Sequence, residues 1–294
     1  MADLRRTPLA VPPWSMALLA MFSVQLGSAL SVGLIDDVGP AGTAWLRLTM
    51  GALVFVVLVR PSVRTLRRAD VPVVLALGVA TGLMTLSFLA ALDRIDLGTA
   101  VAIEFLGPLT VAAVRSGTRR GLALPLLALA GVVLLTEPWH GDVDPVGVGF
   151  AALGAVGWAS YILLTQHVGD RFNGVDGLAF TIPVAALTAA VVGVPQAAGH
   201  LSPGILATAL GLALLLPCLP FALEMLALRR MTPLAFGTLM ALEPAIGALL
   251  GLVVLGQQPG PLQVLGVALV VTAGAAAQRG GLREPVTPDQ DVLT

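Results

Sequence analysis

The 294-residue chain contains no lysine, one cysteine and one tyrosine, and only 11% of its residues are charged. Soluble domains carry about 25% charged residues, so this composition leaves too little polar surface for one. The lone Cys218 excludes an intrachain disulfide and lies in an apolar segment, as a small core residue does. His-Glu-x-x-His, Gly-x-Ser-x-Gly and glycine-rich phosphate-loop motifs are all missing, and His140, His167 and His200 do not have metal-ligand spacing. No catalytic residue, metal or cofactor is expected, and an intramembrane enzyme is a remote alternative.

What is abundant is apolar sequence: 57% of the residues are hydrophobic and the mean hydropathy is +0.93. A bilayer core needs about 20 apolar residues per helical span. Charges, prolines and glycines divide the chain into ten such runs: 13–34, 41–59, 71–92, 97–114, 121–136, 146–168, 178–194, 204–228, 232–255 and 261–277. The first run is too long for a signal-peptide core and no small-x-small cleavage site follows it, so it reads as a span. The predicted fold class is an all-α membrane protein of ten transmembrane helices, with a disordered cytoplasmic tail at 278–294.

Arginine orients the spans, because basic residues collect in short cytoplasmic loops. With the N-terminus inside, inner segments hold 14 of the 16 basic residues, outer loops hold only Arg94, and Arg47 lies within the second run. Both termini are expected in the cytoplasm. The arginine clusters are explained by topology and imply no nucleic acid.

A shift of 136 residues places Ala91-Leu92-x-Arg94 on Ala227-Leu228-x-Arg230, Leu106 on Leu242 and Pro108 on Pro244. It superposes the third and fourth runs on the eighth and ninth. Five spans per half is an odd number, so halves at 13–136 and 146–277 would be inverted repeats, an architecture that binds substrate near the midplane where the repeats meet.

Buried charge marks the candidate site, since an ionisable group at a helix centre costs about 2.5–3.5 kcal/mol on insertion scales. Four lie within spans: Arg47, Glu104, Glu224 and Glu243. Glu243 falls near the midplane, and Arg47 and Glu104 fall at a similar depth, roughly 10 Å inside the outer boundary. Arg47 and Glu104 pair with each other, or open to hold a substrate carboxylate and ammonium; Arg47 alternatively snorkels to the interface. Glu224, near the inner end of its span, makes either a gate contact or a plain helix-end contact with Arg229 and Arg230. Gln25 lies mid-span, where an amide needs partners. Trp158 and Tyr161 share a helix face, Trp158 for packing or anchoring and Tyr161 for cavity lining. Pro108 and Pro244 are the expected helix breaks, and Gly78-x3-Gly82 and Gly247-x3-Gly251 are expected to pack helices within the monomer, with no oligomer required.

Five stretches carry a family resemblance: Ala44-Trp-Leu-Arg-Leu-Thr49, Val101-Ala-Ile-Glu-Phe-Leu-Gly-Pro-Leu109, Trp158-Ala-Ser-Tyr-Ile-Leu163, Leu223-Glu-Met-Leu-Ala-Leu228 and Phe236-Gly-Thr-Leu-Met-Ala-Leu-Glu-Pro-Ala245. With the ten-run pattern they resemble the EamA branch of the drug/metabolite transporter superfamily, and more closely its threonine/homoserine exporter group. Gly256-Gln257 departs from the Gly-Glu that many members carry, and no role is assigned to it. The resemblance implies a multi-pass protein of the bacterial inner membrane. Its expected partners are a small zwitterionic substrate, the proton and the lipid bilayer. With the four buried charges, it implies proton-coupled export of small amino acids by alternating access, through a Glu occupied by proton and substrate ammonium in turn. A different metabolite or drug, exported or imported, is the alternative. Glu104 meets Met240 under the shift and Glu243 meets Gly107, so the two carboxyls are expected to differ in role, Glu104 facing Arg47 and substrate and Glu243 holding the proton.

Overall fold

Prolines and glycines decide where the apolar runs bend. The computed structural model describes residues 12–61, 66–116, 119–137, 139, 143–169, 175–228 and 239–279, and these are helical apart from short connections. Arg5, Arg6, Arg64, Arg171, Arg229, Arg230, Asp170, the start of the ninth run and nearly all of the C-terminal tail lie outside the described residues.

The first element, α1 (Pro13–Val59), contains the first two expected runs with only one non-helical residue between them, Gly39 at φ 74° and ψ 166°. A positive φ suits glycine because it has no Cβ to clash. The chain doubles back there. Ser31 and Arg47, sixteen residues apart, would stand about 24 Å apart along a straight helix, yet Arg47 Nη1 lies 2.9 Å from Ser31 Oγ. The expected loop at Asp36–Pro40 is therefore a one-residue hinge. Its second limb starts under a clamp: the Ala41 and Gly42 N–H groups donate to Gln196 Oε1 at 2.7 and 2.9 Å. They are orphan donors of a helix N-terminus, which a side-chain oxygen can satisfy.

The run from α2 (Val71–Leu92) continues through α3 (Leu97–Glu104) and α4 (Leu106–Ser116) to α5 (Arg119–Thr136). The interruption between α3 and α4 falls at Phe105, three residues before Pro108. Proline lacks an N–H and crowds the carbonyl four residues earlier, here that of Glu104, so the helix breaks upstream of the proline. The second part of the chain begins with α6 (Pro145–Gly169) and α7 (Val175–Ala197). Next, α8 (Pro203–Ala213) widens into a π-type turn over Leu214–Cys218, with Leu216 extended at φ −159° and ψ 110°, before α9 (Leu219–Leu228). Pro217 sits in this turn. Finally α10 (Glu243–Leu255) starts with Pro244 in its first turn, where proline is tolerated, and α11 (Pro261–Arg279) follows.

Among the described residues five helices are long and apolar enough to cross a membrane: Pro13–Val59, Val71–Leu92, Pro145–Thr165, Gly177–Ala197 and Pro203–Phe221. Leu97–Val111, Ala123–Thr136, Glu243–Leu255 and Pro261–Ala276 are shorter apolar helices. Many large apolar side chains face outward, Leu58 and Val191 about three-quarters exposed, as expected where lipid is the solvent.

Small residues bring the helices together. The limbs of α1 pack on α7, α2 packs on α6 and α7, α3 on α10, and α5 on α11. Gly78 and Gly82 lie against the Thr181–Thr188 stretch of α7, so this pair packs helices within the monomer as expected. Gly131 and Gly266 face each other: a Cβ on either would meet the other's carbonyl oxygen, at 2.7 and 2.6 Å.

Candidate functional site

The helix breaks place the carboxyls. Glu104 is the last residue of α3 and Glu243 the first of α10, so one stands at a helix C-terminus and the other at an N-terminus, facing opposite ends of helix dipoles. Both are buried, at 8% and 3% exposure, and Glu243 lies within electrostatic reach of Glu104 and Glu224. Glu224 on α9 is partly buried and interacts in turn with Tyr161 of α6. Glu243 is thus within electrostatic range of Glu104 and Glu224, and Tyr161 within that of Glu224.

A face of α6 closes one side of this group. Gly154, Trp158 and Tyr161 follow one another at spacings of four and three residues. The Glu104 carboxyl lies over Gly154, its Oε1 3.0 Å from where a Cβ would stand, and Phe105 meets Trp158 edge to face at 6.2 Å between ring centroids. Trp158 is therefore a packing residue.

Gln25 comes from the first limb of α1. At 2% exposure its Oε1 has no hydrogen-bond partner, and it rests against Gly247, one turn beyond Glu243. Arg47 is buried as well, at 4% exposure, and does not snorkel. The expected Arg47–Glu104 pair is not formed: Nη1 donates to Ser31 Oγ, Nε has no partner, and among the described residues no carboxylate lies within 4.0 Å of the guanidinium. The hinge at Gly39 explains this, since it folds Arg47 back onto its own helix pair. Glu224's expected neighbours Arg229 and Arg230 lie outside the described residues. Pro108 lies three residues after the interruption at Phe105, and Pro244 two residues after the turn at Ala241–Leu242.

The third break escaped the sequence reading. Ser23 Oγ donates to the Leu215 carbonyl at 2.7 Å, an acceptor released by the π-type turn, while Gly27 abuts Leu215 and Leu216 and Gly51 abuts Pro217. A proline midway along an apolar run was the available signal. Gln257 was also passed over: its Oε1 accepts from the Leu97 N–H at 3.2 Å, tying the end of α10 to the start of α3. Nearby, Arg94 Nη1 donates to Asp144 Oδ2 at 2.8 Å. That hydrogen bond, with a second from the Val146 N–H, holds the Asp144 carboxyl below the usual carboxylate range. Among the described residues no group of three or more His, Cys, Asp or Glu is arranged to hold a metal ion.

Buried carboxyls inside an all-helical apolar protein, two of them at breaks in its helices, mark a multi-pass membrane protein of the transporter class. The EamA-like transporter family profile matches residues 145–276. The Threonine/homoserine exporter RhtA of Salmonella typhimurium strain LT2 is 34% identical over 300 residues, 98% of each chain, and that of Escherichia coli K12 is 33% identical over 302 residues, 99% of each chain. A crystal structure of a protein with 21% sequence identity has a TM-score of 0.60, covering 90% of this chain and 96% of that one, and so shares the fold. The chain belongs to the EamA-like transporter family.

Proposed function

We propose that the protein is a secondary transporter that exports small amino acids of the threonine and homoserine kind, in exchange for protons, by alternating access. The observation that carries this reading is the burial of Glu104 and Glu243 within apolar helices, with Glu224 inside electrostatic range of Glu243. Such groups are too costly to keep in a bilayer without a task. Near-full-length similarity to proteins named as threonine/homoserine exporters supports the cargo class.

The working architecture is ten spans in two inverted halves, 13–136 and 146–277, in the bacterial inner membrane with both termini cytoplasmic. Two observations support the repeat. The 136-residue shift carries the interruption at Phe105 onto the turn at Ala241. The profile match over 145–276 supports the division. Arginine distribution supports the orientation.

Glu243 is the proton site and Glu104 meets the substrate ammonium, with Glu224 and Tyr161 completing the polar wall. Arg47, buried and bonded to Ser31, takes the substrate carboxylate through its unpaired Nε. The cycle needs no covalent step, so no residue is assigned a catalytic role, and a monomer suffices. The test is efflux of labelled threonine from proteoliposomes with and without a pH gradient. Faster efflux with the gradient, abolished in Glu243→Gln, is expected; equal rates in both conditions would overturn the coupling, and an active Glu243→Gln the proton site.

A further inference from the structure

Among the described residues, Gln25 Oε1 and Thr165 Oγ1 are the neutral buried side-chain atoms without a partner, and Gln25 is the one that lies against the helix carrying Glu243. Its amide oxygen has no partner at 2% exposure, and it stops against the bare Gly247, next to Val101. Buried polar groups in folded proteins are almost always paired, so an orphan calls for a partner, and a bound ligand can supply it. Glu104 already answers to the substrate ammonium. A neutral amide beside an apolar wall is suited instead to a neutral donor.

Resting on the transport reading above, we propose that Gln25 recognises the side-chain hydroxyl of the transported amino acid and thereby sets specificity for hydroxy amino acids over their deoxy counterparts. Threonine and homoserine differ in where the hydroxyl is attached, but removing it gives the same compound, 2-aminobutyrate. A hydroxyl both donates and accepts, so it pairs with either end of an amide. Gln25 stands one helical turn along α10 from Glu243, so one small zwitterion can reach both. When a deoxy analogue enters, the amide stays unpaired, and sites built to bond a hydroxyl discriminate strongly against substrates lacking it. The penalty of an unmet buried group corresponds to a preference of about 5- to 150-fold.

The experiment measures efflux of labelled threonine, homoserine and 2-aminobutyrate from cells or proteoliposomes carrying the full chain. The wild-type protein is expected to prefer both hydroxy amino acids over 2-aminobutyrate by at least about 5-fold. In Gln25→Met, of similar length but apolar, the preference drops to within about 2-fold, while Gln25→Asn, which keeps the amide, retains part of it. A wild-type protein that exports all three at equal rates overturns this inference and leaves the transport reading standing. A Gln25→Met protein with the wild-type ratio, or one present in the membrane at normal amount that moves none of the three, also overturns it. Export of none of the three by the wild-type protein removes the transport reading and this inference together. If Gln25→Met does not reach the membrane, the wild-type ratio and Gln25→Asn decide.

Discussion

Replacing Gly107 with alanine sets a methyl group where the backbone of α6 already runs. A Cβ at that position would overlap the Ala155 carbonyl oxygen and stand 2.9 Å from its carbonyl carbon and 3.2 Å from the Ala155 Cα. These are main-chain atoms, so no rotamer change relieves the contact. Restoring carbon contacts of about 3.5 Å requires α4 and α6 to separate by on the order of 1 Å. Overpacking of this kind costs about 1–3 kcal/mol, and for a chain of this size each kcal/mol lowers the unfolding temperature by about 2–4 °C. Gly107 lies three residues after Glu104, whose carboxyl rests on Gly154 beside Ala155, so the same displacement loosens the carboxyl's seat. The control is Gly211→Ala: nothing stands within 4 Å of its Cβ, and alanine gains up to about 1 kcal/mol over glycine in a helix. Thermal unfolding in detergent should therefore fall by about 2–12 °C in Gly107→Ala and hold or rise in Gly211→Ala, with amino-acid efflux reduced only in the former. A Gly107→Ala protein as stable and active as Gly211→Ala refutes the close approach of α4 and α6.

Ser23→Ala removes the donor that meets the Leu215 carbonyl and should lower stability by about 1–3 kcal/mol, with Ser23→Thr restoring most of it; equal unfolding temperatures in all three would show that the turn is satisfied elsewhere. Gln257→Met leaves the Leu97 N–H unmet and should cost about 0.5–1.5 kcal/mol in the same assay, with no change expected only if the α3 start is held by other groups. The Asp144 carboxyl is depressed by Arg94, so its contribution is complete above the ordinary carboxylate range and is lost as the pH falls through its lowered folded-state value. Wild-type protein should then lose more unfolding temperature than Asp144→Asn on acidification, and the gap should narrow in high salt because both partners are partly exposed; parallel acid profiles would count against the pair.

Where the sequence placed charge, proline or glycine at the ends of an apolar run, its reading of the fold held closely. The expected third run, 71–92, matches α2 at both ends, and the sixth, expected from 146, starts one residue after α6 does. The burial of Arg47, Glu104 and Glu243 followed from their positions inside apolar runs. What local pattern does not encode is reach between elements. The one-residue hinge at Gly39 makes Ser31 rather than Glu104 the partner of Arg47, and nothing within either limb alone announces that. Proline position was legible, but its effect falls upstream, so the α3–α4 interruption lies at Phe105 rather than at Pro108. Pro217 was a visible signal within its run, but the partner of the turn beside it, Ser23, lies nearly two hundred residues away and no local pattern announces it. Gln196 and Gln257 act as caps for helices distant in sequence, a role that only the packing of the helices defines.

The central claim is that buried carboxyls drive export of small hydroxy amino acids. Its most direct test is efflux of labelled threonine and homoserine from cells producing the wild-type protein or Glu243→Gln at equal membrane levels, with and without a protonophore. The account predicts rapid efflux from the wild type alone, abolished by the protonophore. Efflux that is no faster than in cells lacking the protein, or that is the same in Glu243→Gln, contradicts it.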